Sequence, residues 1–201
     1  MKPPRNPPVI AGLLLAAGGG RRLGGRPKAL LRHRGRPLVD HAVAALHQGG
    51  CAPIHVVLGA AGARVHTEAA LGGCTTIDNG DWAEGMGSSL RAGLASLTDS
   101  GADAVLVQLV DQPGIGGAAV ARVRSAYGSH ETLATATYGG RRGHPVLLGA
   151  AHWAAAAADA RGDQGARSYL AAHASTLTLV ECGDVADPAD IDTAADLFRL
   201  E

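Results

Sequence analysis

The stretch Val9-Ile10-Ala11-Gly12-Leu13-Leu14-Leu15-Ala16, running into Ala17-Gly18-Gly19-Gly20-Arg21-Arg22-Leu23-Gly24-Gly25-Arg26-Pro27-Lys28, decides how the rest of the chain reads. Its first half is continuously apolar instead of alternating, the mark of a strand covered on both faces, as in a parallel sheet. Glycines directly after such a strand let backbone N–H groups turn inward and approach phosphate oxygens closely. Arg21, Arg22, Arg26 and Lys28 add the cations that a triphosphate attracts. A flexible, solvated basic loop is the plainer alternative. It does not explain why the loop sits at the carboxyl end of the first strand, where sheets of this kind bind ligands.

Two common phosphate motifs fail here. A P-loop needs GxxxxGK[ST], but Gly20 to Gly25 is followed by Arg26-Pro27. A dinucleotide fingerprint needs a third glycine where Leu23 stands. Asp40 has the spacing of a ribose-binding acid, yet it falls just after Pro37 inside a predicted helix and not at a strand end.

Working outward, the alternation of strand and helix repeats. Pro37-Leu38-Val39 opens a helix that Gly49-Gly50 stops. Residues 54–58 read as a buried strand, 62–71 as a helix, 75–77 as a short strand and 88–97 as a helix capped by serine. A buried strand over 104–110 ends at Asp111-Gln112-Pro113. A helix over 117–126, strands over 133–138 and 145–148, helices across 150–172, a strand over 176–182 and a last helix over 193–200 complete the chain. This order predicts a single-domain three-layer α/β/α sandwich with a Rossmann-like, mostly parallel sheet. Residues 1–8, with four prolines, read as a flexible tail and residues 9–201 as the domain.

The chain of 201 residues is 46% hydrophobic and 18% charged, long and apolar enough for a sizeable core. Aromatics are only 3%, so that core must rely on small side chains at close approach. With a net charge of +0, no basic excess advertises a nucleic-acid surface. No segment has the ~20 apolar residues of a membrane span, and the apolar run after the tail lacks a cleavage region. Cys51, Cys74 and Cys182 are odd in number and widely spaced, which fits a reducing cytoplasm and no zinc site.

Further motifs follow in order. In Asn79-Gly80-Asp81-Trp82-Ala83-Glu84-Gly85-Met86-Gly87-Ser88-Ser89-Leu90, glycines precede a helix whose first N–H groups can meet an anion or a base edge. Ordinary serine capping is the bland account. Asp111 stands directly after a buried strand, where a hard oxygen ligand for Mg²⁺ would face the crevice; an N-cap role is the alternative. No convincing Ser/His/Asp or Cys/His set for nucleophilic catalysis is present.

The segment Leu15-Ala-Ala-Gly-Gly-Gly-Arg-Arg-Leu-Gly…Pro27-Lys28 closely resembles the LAAGxGxRMGxxK signature of the MobA-like NTP transferases, and among them the molybdenum cofactor cytidylyltransferases. Leu23 replaces the usual Met and Gly25 is an extra glycine. The 79–90 segment is similar to NPxWxxGMSSSL, with Gly87 for a serine. Arg142-Gly143-His144-Pro145, Gly162-Asp163-Gln164-Gly165-Ala166-Arg167 and Asp190-Ile191-Asp192-Thr193…Asp196 resemble the family's RxGHP, GDxGAR and DIDTxxD.

The resemblance implies a nucleotide-diphospho-sugar transferase fold and transfer of a nucleoside monophosphate, from CTP in preference to GTP, to a phosphorylated acceptor such as molybdopterin. It implies nucleotide binding by Leu15, Ala16, Ala17, Gly18, Gly19, Gly20, Lys28, Asn79, Gly87, Ser88 and Ser89. Arg22, Lys28 and Asp111 would carry the chemistry, Asp111 and Asp192 would hold Mg²⁺, and Gly143, His144, Pro145, Asp163 and Arg167 would bind the acceptor. Asp190 and Thr193 read as turn and cap residues. A guanylyltransferase or other NTP transferase acting on a different phosphorylated metabolite, a nicotinamide-dependent oxidoreductase and a non-catalytic nucleotide-binding factor partnering a molybdoenzyme are the competing readings.

Overall fold

The computed structural model describes residues 7–201. The first six residues of the expected 1–8 tail therefore lie outside the described part. The first strand, β1 (Ile10–Ala16), is buried at every position, as its unbroken apolar run requires. A two-residue hairpin, β2 (Arg32–His33) and β3 (Arg36–Pro37), leads to helix α1 (Leu38–Gln48). Then come β4 (Ile54–Leu58), α2 (Gly62–Glu68), β5 (Thr75–Asp78), α3 (Met86–Ser96), β6 (Ala104–Leu109) and α4 (Gly117–Arg124). The second half contains β7 (Leu133–Tyr138), β8 (Arg141–Gly149), α5 (Trp153–Asp159), α6 (Arg167–Ala172) and β9 (Thr178–Glu181).

The main sheet has seven strands in the order β5-β4-β1-β6-β8-β7-β9. Only β8 runs against its neighbours. Alternate residues of β1 feed two separate cores. Ile10, Leu14 and Ala16 pack with α1 and α4 residues such as Leu46, Val120 and Val123. Ala11, Leu13 and Leu15 pack with Leu90 and Leu94 of α3 and with Tyr169 and Leu170 of α6. These are the three layers expected from the sequence.

Close approach replaces aromatic bulk. A Cβ on Gly93 would stand 2.5 Å from Leu13 Cδ1, so α3 lies directly on β1. One on Gly49 would stand 2.1 Å from Val120 Cγ1, where α1 ends against α4.

Three local expectations need correction. Helix α3 is not capped by serine: it starts at Met86 after Gly85, and Ser88 and Ser89 lie buried inside its first turn. The strand expected over 145–148 spans Arg141–Gly149 and forms a hairpin with β7, in which Tyr138 pairs with Arg141 across Gly139-Gly140. Both glycines have positive φ, 57° and 80°, the geometry of a type I′ turn. The last helix, expected as α over 193–200, is a 3-10 helix over Ala194–Leu200. It is tied down at both ends: the Ile191 amide donates to the Asp111 carbonyl, and His33 Nδ1 donates to the Leu200 carbonyl. A 3-10 helix rises ~2.0 Å per residue against ~1.5 Å for an α-helix, so the same residues cover the longer span.

Candidate active site

The parallel strands β1, β4 and β6 end on one side of the sheet, and the glycine turn leaves from the end of β1. Gly20 has φ 61°, and a Cβ there would lie 1.8 Å from the Arg26 carbonyl oxygen. Only glycine fits that crossing. The Gly20 carbonyl accepts from the amides of Leu23 and Gly25, winding Arg21–Leu23 into a short 3-10 turn. Leu23 is the buried plug of this turn, while Arg21 and Arg22 are exposed. No backbone carbonyl among the described residues accepts from the amides of Gly18 or Gly19. A Cβ on Gly18 would meet nothing within 4 Å, so that stretch of backbone is open to a ligand.

Trp82 forms the wall beside it. A Cβ on Gly19 would come within 3.0 Å of the Trp82 ring, and one on Gly59 would lie 2.6 Å from Trp82 Cβ and 2.7 Å from Ala17 Cβ. Ala17, Gly59 and Trp82 therefore make one close-packed rim, with Ala17 only 6% exposed. Neither Trp82 nor Gly59 was singled out by sequence, although Trp82 lies inside the quoted 79–90 motif.

Asn79, Ser88 and Ser89 are buried and engaged with one another. Asn79 Nδ2 donates to Ser88 Oγ at 2.9 Å and to Ser89 Oγ at 3.1 Å. Ser88 Oγ donates to the Asp81 and Gly85 carbonyls. Gly85 and Gly87 admit a second loop, since a Cβ on Gly85 would meet Asp163 Oδ1 at 2.6 Å and one on Gly87 the Arg161 amide nitrogen at 2.8 Å. These motif residues thus lock the 79–89 loop onto the 160–165 loop. Their serine hydroxyls and glycine faces are taken up internally.

Charge concentrates where three elements meet. Lys28 Nζ donates to Asp111 Oδ2 and to Asp192 Oδ1, each at 2.7 Å. Arg22 also pairs with Asp192. The Lys28 and Asp111 side chains are 14% and 17% exposed, that of Asp192 38%. Burial works to lower the Lys28 pKa, but the two carboxylates outweigh it and hold the ammonium above its ordinary value. The hydrogen bond from Lys28 holds Asp192 below the usual carboxylate range.

Thr193 and Asp196 form a capping box, as read from sequence. Asp190 does more than turn the chain. It accepts from Gln112 Nε2 at 2.7 Å, and burial together with the nearby Asp111 charge raises its pKa.

On the other side of the cleft, burial pushes His144 down to about 4, with Arg167 adding to the effect and Asp111 opposing it. A neutral imidazole thus lies within electrostatic reach of Asp111. Gly143 packs against the Tyr138 ring, and Tyr138 Oη donates to the His144 carbonyl at 2.6 Å. Pro145 follows on β8, and Asp163 and Arg167 are exposed. Leu15 and Ala16 are strand residues of the floor. Asp40 is used elsewhere, its Oδ1 accepting from the Ala70 amide.

Asp111 and Asp192 suit a divalent cation because they converge on one cationic point at hydrogen-bond range. Among the described residues no group of three His, Cys, Asp or Glu is placed to hold a metal. Two carboxylates match the habit of Mg²⁺, which keeps waters and takes its remaining oxygens from substrate phosphates.

The chain belongs to the MobA-like NTP transferase family, whose domain matches residues 12–177. It is 38% identical over 200 residues to the nicotine blue oxidoreductase of Paenarthrobacter nicotinovorans, covering 96% of this chain and 97% of that protein. It is 34% identical over 200 residues to the molybdenum cofactor guanylyltransferase of Acidiphilium cryptum, covering 96% and 94%. Among solved structures it superposes on Rv0371c of Mycobacterium tuberculosis H37Rv in complex with manganese, with a TM-score of 0.77 and 26% identity over 96% of this chain and 97% of that one. No helix among the described residues is long and apolar enough to cross a membrane.

Proposed function

We propose that this chain is a Mg²⁺-dependent nucleotidyltransferase that moves CMP from CTP onto a phosphorylated small molecule, molybdopterin being the acceptor that the sequence motifs favour, with release of pyrophosphate. The observation that carries this reading is the Asp111–Lys28–Asp192 cluster beside the open glycine turn. A phosphate oxygen of the acceptor attacks the α-phosphorus as the bond to the pyrophosphate oxygen breaks. That nucleophile is ionised at neutral pH, so positioning and charge neutralisation dominate.

The open amides of Gly18 and Gly19 face the β- and γ-phosphates. Lys28 and the exposed Arg22 neutralise charge on the α-phosphate and on the leaving group. Asp111 and Asp192 would hold Mg²⁺, which would supply charge screening at the phosphates. His144, uncharged, donates or accepts a hydrogen bond at the acceptor without adding charge. Asn79, Ser88 and Ser89 act by shaping the loop that closes the base end.

Two relatives keep other readings in play. The guanylyltransferase favours GTP as donor for this chain, and a molybdoenzyme as the recipient of the product is compatible with either donor. The oxidoreductase favours a redox reaction on the same scaffold. The glycine turn lacks the third glycine of a dinucleotide fingerprint, Leu23 standing in its place, which is why transfer chemistry is preferred. The test is pyrophosphate release from CTP, GTP and ATP with a phosphorylated acceptor, with and without Mg²⁺, beside NADH and NADPH oxidation and thermal shifts for each nucleotide. Metal-dependent pyrophosphate release with CTP supports the proposal. Redox turnover without pyrophosphate release overturns it.

A further inference from the structure

Lys28 is asked to do two incompatible things. The proposed function puts Mg²⁺ on Asp111 and Asp192, yet both carboxylates already accept from the Lys28 ammonium at 2.7 Å, and the second oxygen of Asp192 is paired with Arg22. These groups come from separate parts of the chain. Lys28 lies in the short turn Lys28–Leu30, Asp111 follows β6, and Asp192 belongs to the C-terminal segment that the Ile191 amide pins to the Asp111 carbonyl.

Two like charges brought together in a partly buried place repel, and the ammonium is what allows them to converge. A divalent cation cannot take those oxygens while the ammonium stays among them. The remaining donors are also too few. Asp190 is engaged by Gln112, and no third His, Cys, Asp or Glu completes a metal set among the described residues.

We propose that Lys28 is a built-in placeholder cation that holds Asp111 and Asp192 in register and keeps divalent metal out until a nucleoside triphosphate draws its ammonium away. Metal and nucleotide therefore load together. The triphosphate supplies both the anion that receives Lys28 and the oxygens that complete the metal's shell. This inference rests on the metal reading of the two aspartates given above. It differs from that reading in making nucleotide a requirement for tight metal binding. The reciprocity of linked equilibria then demands that metal tighten nucleotide binding by the same factor.

The test is Mn²⁺ binding, followed by the paramagnetic resonance of free Mn²⁺, on the full chain and three variants. It is run with and without a CTP analogue bridged by a methylene between the α- and β-phosphates, after subtracting the Mn²⁺–analogue complex formed without protein. The wild type should bind Mn²⁺ weakly alone and at least tenfold more tightly with the analogue. Lys28→Met, whose side chain is uncharged and of similar length, should bind Mn²⁺ without nucleotide at least tenfold more tightly than the wild type. Lys28→Arg keeps the positive charge and should retain weak nucleotide-free binding.

The placeholder role is overturned if folded Lys28→Met gains no Mn²⁺ affinity. It is equally overturned if the wild type binds Mn²⁺ equally well with and without the analogue, a measurement that needs no variant. The metal reading itself fails on a separate arm, if Asp111→Asn binds Mn²⁺ with the analogue as the wild type does.

Discussion

The Ile191 amide donates to the Asp111 carbonyl at 2.9 Å, so the last segment of the chain is fastened to the end of the central strand β6. The bond brings Asp192, 81 positions further along the sequence by its number, beside Asp111 and lets one lysine serve both. Because this clasp uses backbone atoms, it survives substitution of the Asp111 side chain.

The first prediction follows from that separation. Asp111→Asn should keep the fold, because the backbone bond to Ile191 is untouched and the side chain lies at a strand end. It should lower pyrophosphate release at least a hundredfold, removing one of two oxygen ligands and a charge partner of Lys28. Melting temperature and turnover measured on the same sample decide it. A folded variant with full activity would move the metal site elsewhere.

Acid should act on the same cluster. Asp192 is held below its ordinary pKa chiefly by the hydrogen bond from Lys28. A depressed folded value means the unfolded chain takes up the proton first, so the stabilisation is present above the unfolded carboxylate range and fades as pH falls through the folded value. Lys28 is raised, so its share is intact below the ordinary lysine value and is lost only in strong alkali. Between those limits the clasp should be insensitive to pH. Thermal melts below about pH 4, the ordinary carboxylate range, should show wild type and Asp192→Asn converging in stability. Parallel curves down to the lowest pH would mean that the ion pair stabilises nothing.

The glycine turn separates folding from binding at two neighbouring positions. Gly20→Ala places a Cβ 1.8 Å from the Arg26 carbonyl at φ 61° and should destabilise the protein by about 1–3 kcal/mol or more while deforming the turn. Gly18→Ala meets nothing within 4 Å and should leave the melting temperature of the free protein unchanged. If phosphate approaches the Gly18 backbone, that methyl group should still weaken CTP binding at least tenfold. Calorimetric titration of both variants checks this, and wild-type CTP affinity in Gly18→Ala would remove the turn from the phosphate site.

Much of this was legible in sequence because period and punctuation carry it. The unbroken Val9–Ala16 run announces a two-sided strand, and the strand–helix alternation announces the layers. Lys28, Asp111 and Asp192 stand in three separate motifs of the resemblance, the two aspartates as a metal pair, and the fold gathers all three at 2.7 Å. What sequence could not give was how they are satisfied. That Lys28 rests on the two carboxylates, and that Asn79, Ser88 and Ser89 spend their polar atoms on each other, depends on long-range packing. The β7–β8 hairpin was readable after all. Tyr138-Gly139-Gly140-Arg141 carries the Gly-Gly turn signal, which places the strand's start at Arg141, four residues before Pro145.

The last prediction tests whether Ala17 biases the choice of nucleotide. The residue is 6% exposed, and its methyl group faces Gly59, where a further Cβ would lie 2.7 Å away and also meet Trp82. On the proposed reading it would act on a bound base through the rim it props up, by setting how far the Gly59–Trp82 wall stands from the end of β1. A slot narrowed in this way accepts a pyrimidine more readily than a guanine. Wild type should prefer CTP to GTP in kcat/KM. Ala17→Gly should let the wall relax inward on itself or outward around a larger base, shrinking the preference up to about tenfold, the low end of what one small steric difference contributes. It should not reverse it, since no new hydrogen bond to guanine is created. The loss of the methyl group should also cost about 0.5–1 kcal/mol in stability through added backbone freedom, so activities must be compared well below the melting temperature. Steady-state kinetics with both nucleotides and one acceptor measure the ratio in each protein. A wild type that favours GTP would sink the cytidylyl assignment and leave a guanylyl donor, in line with the Acidiphilium cryptum relative.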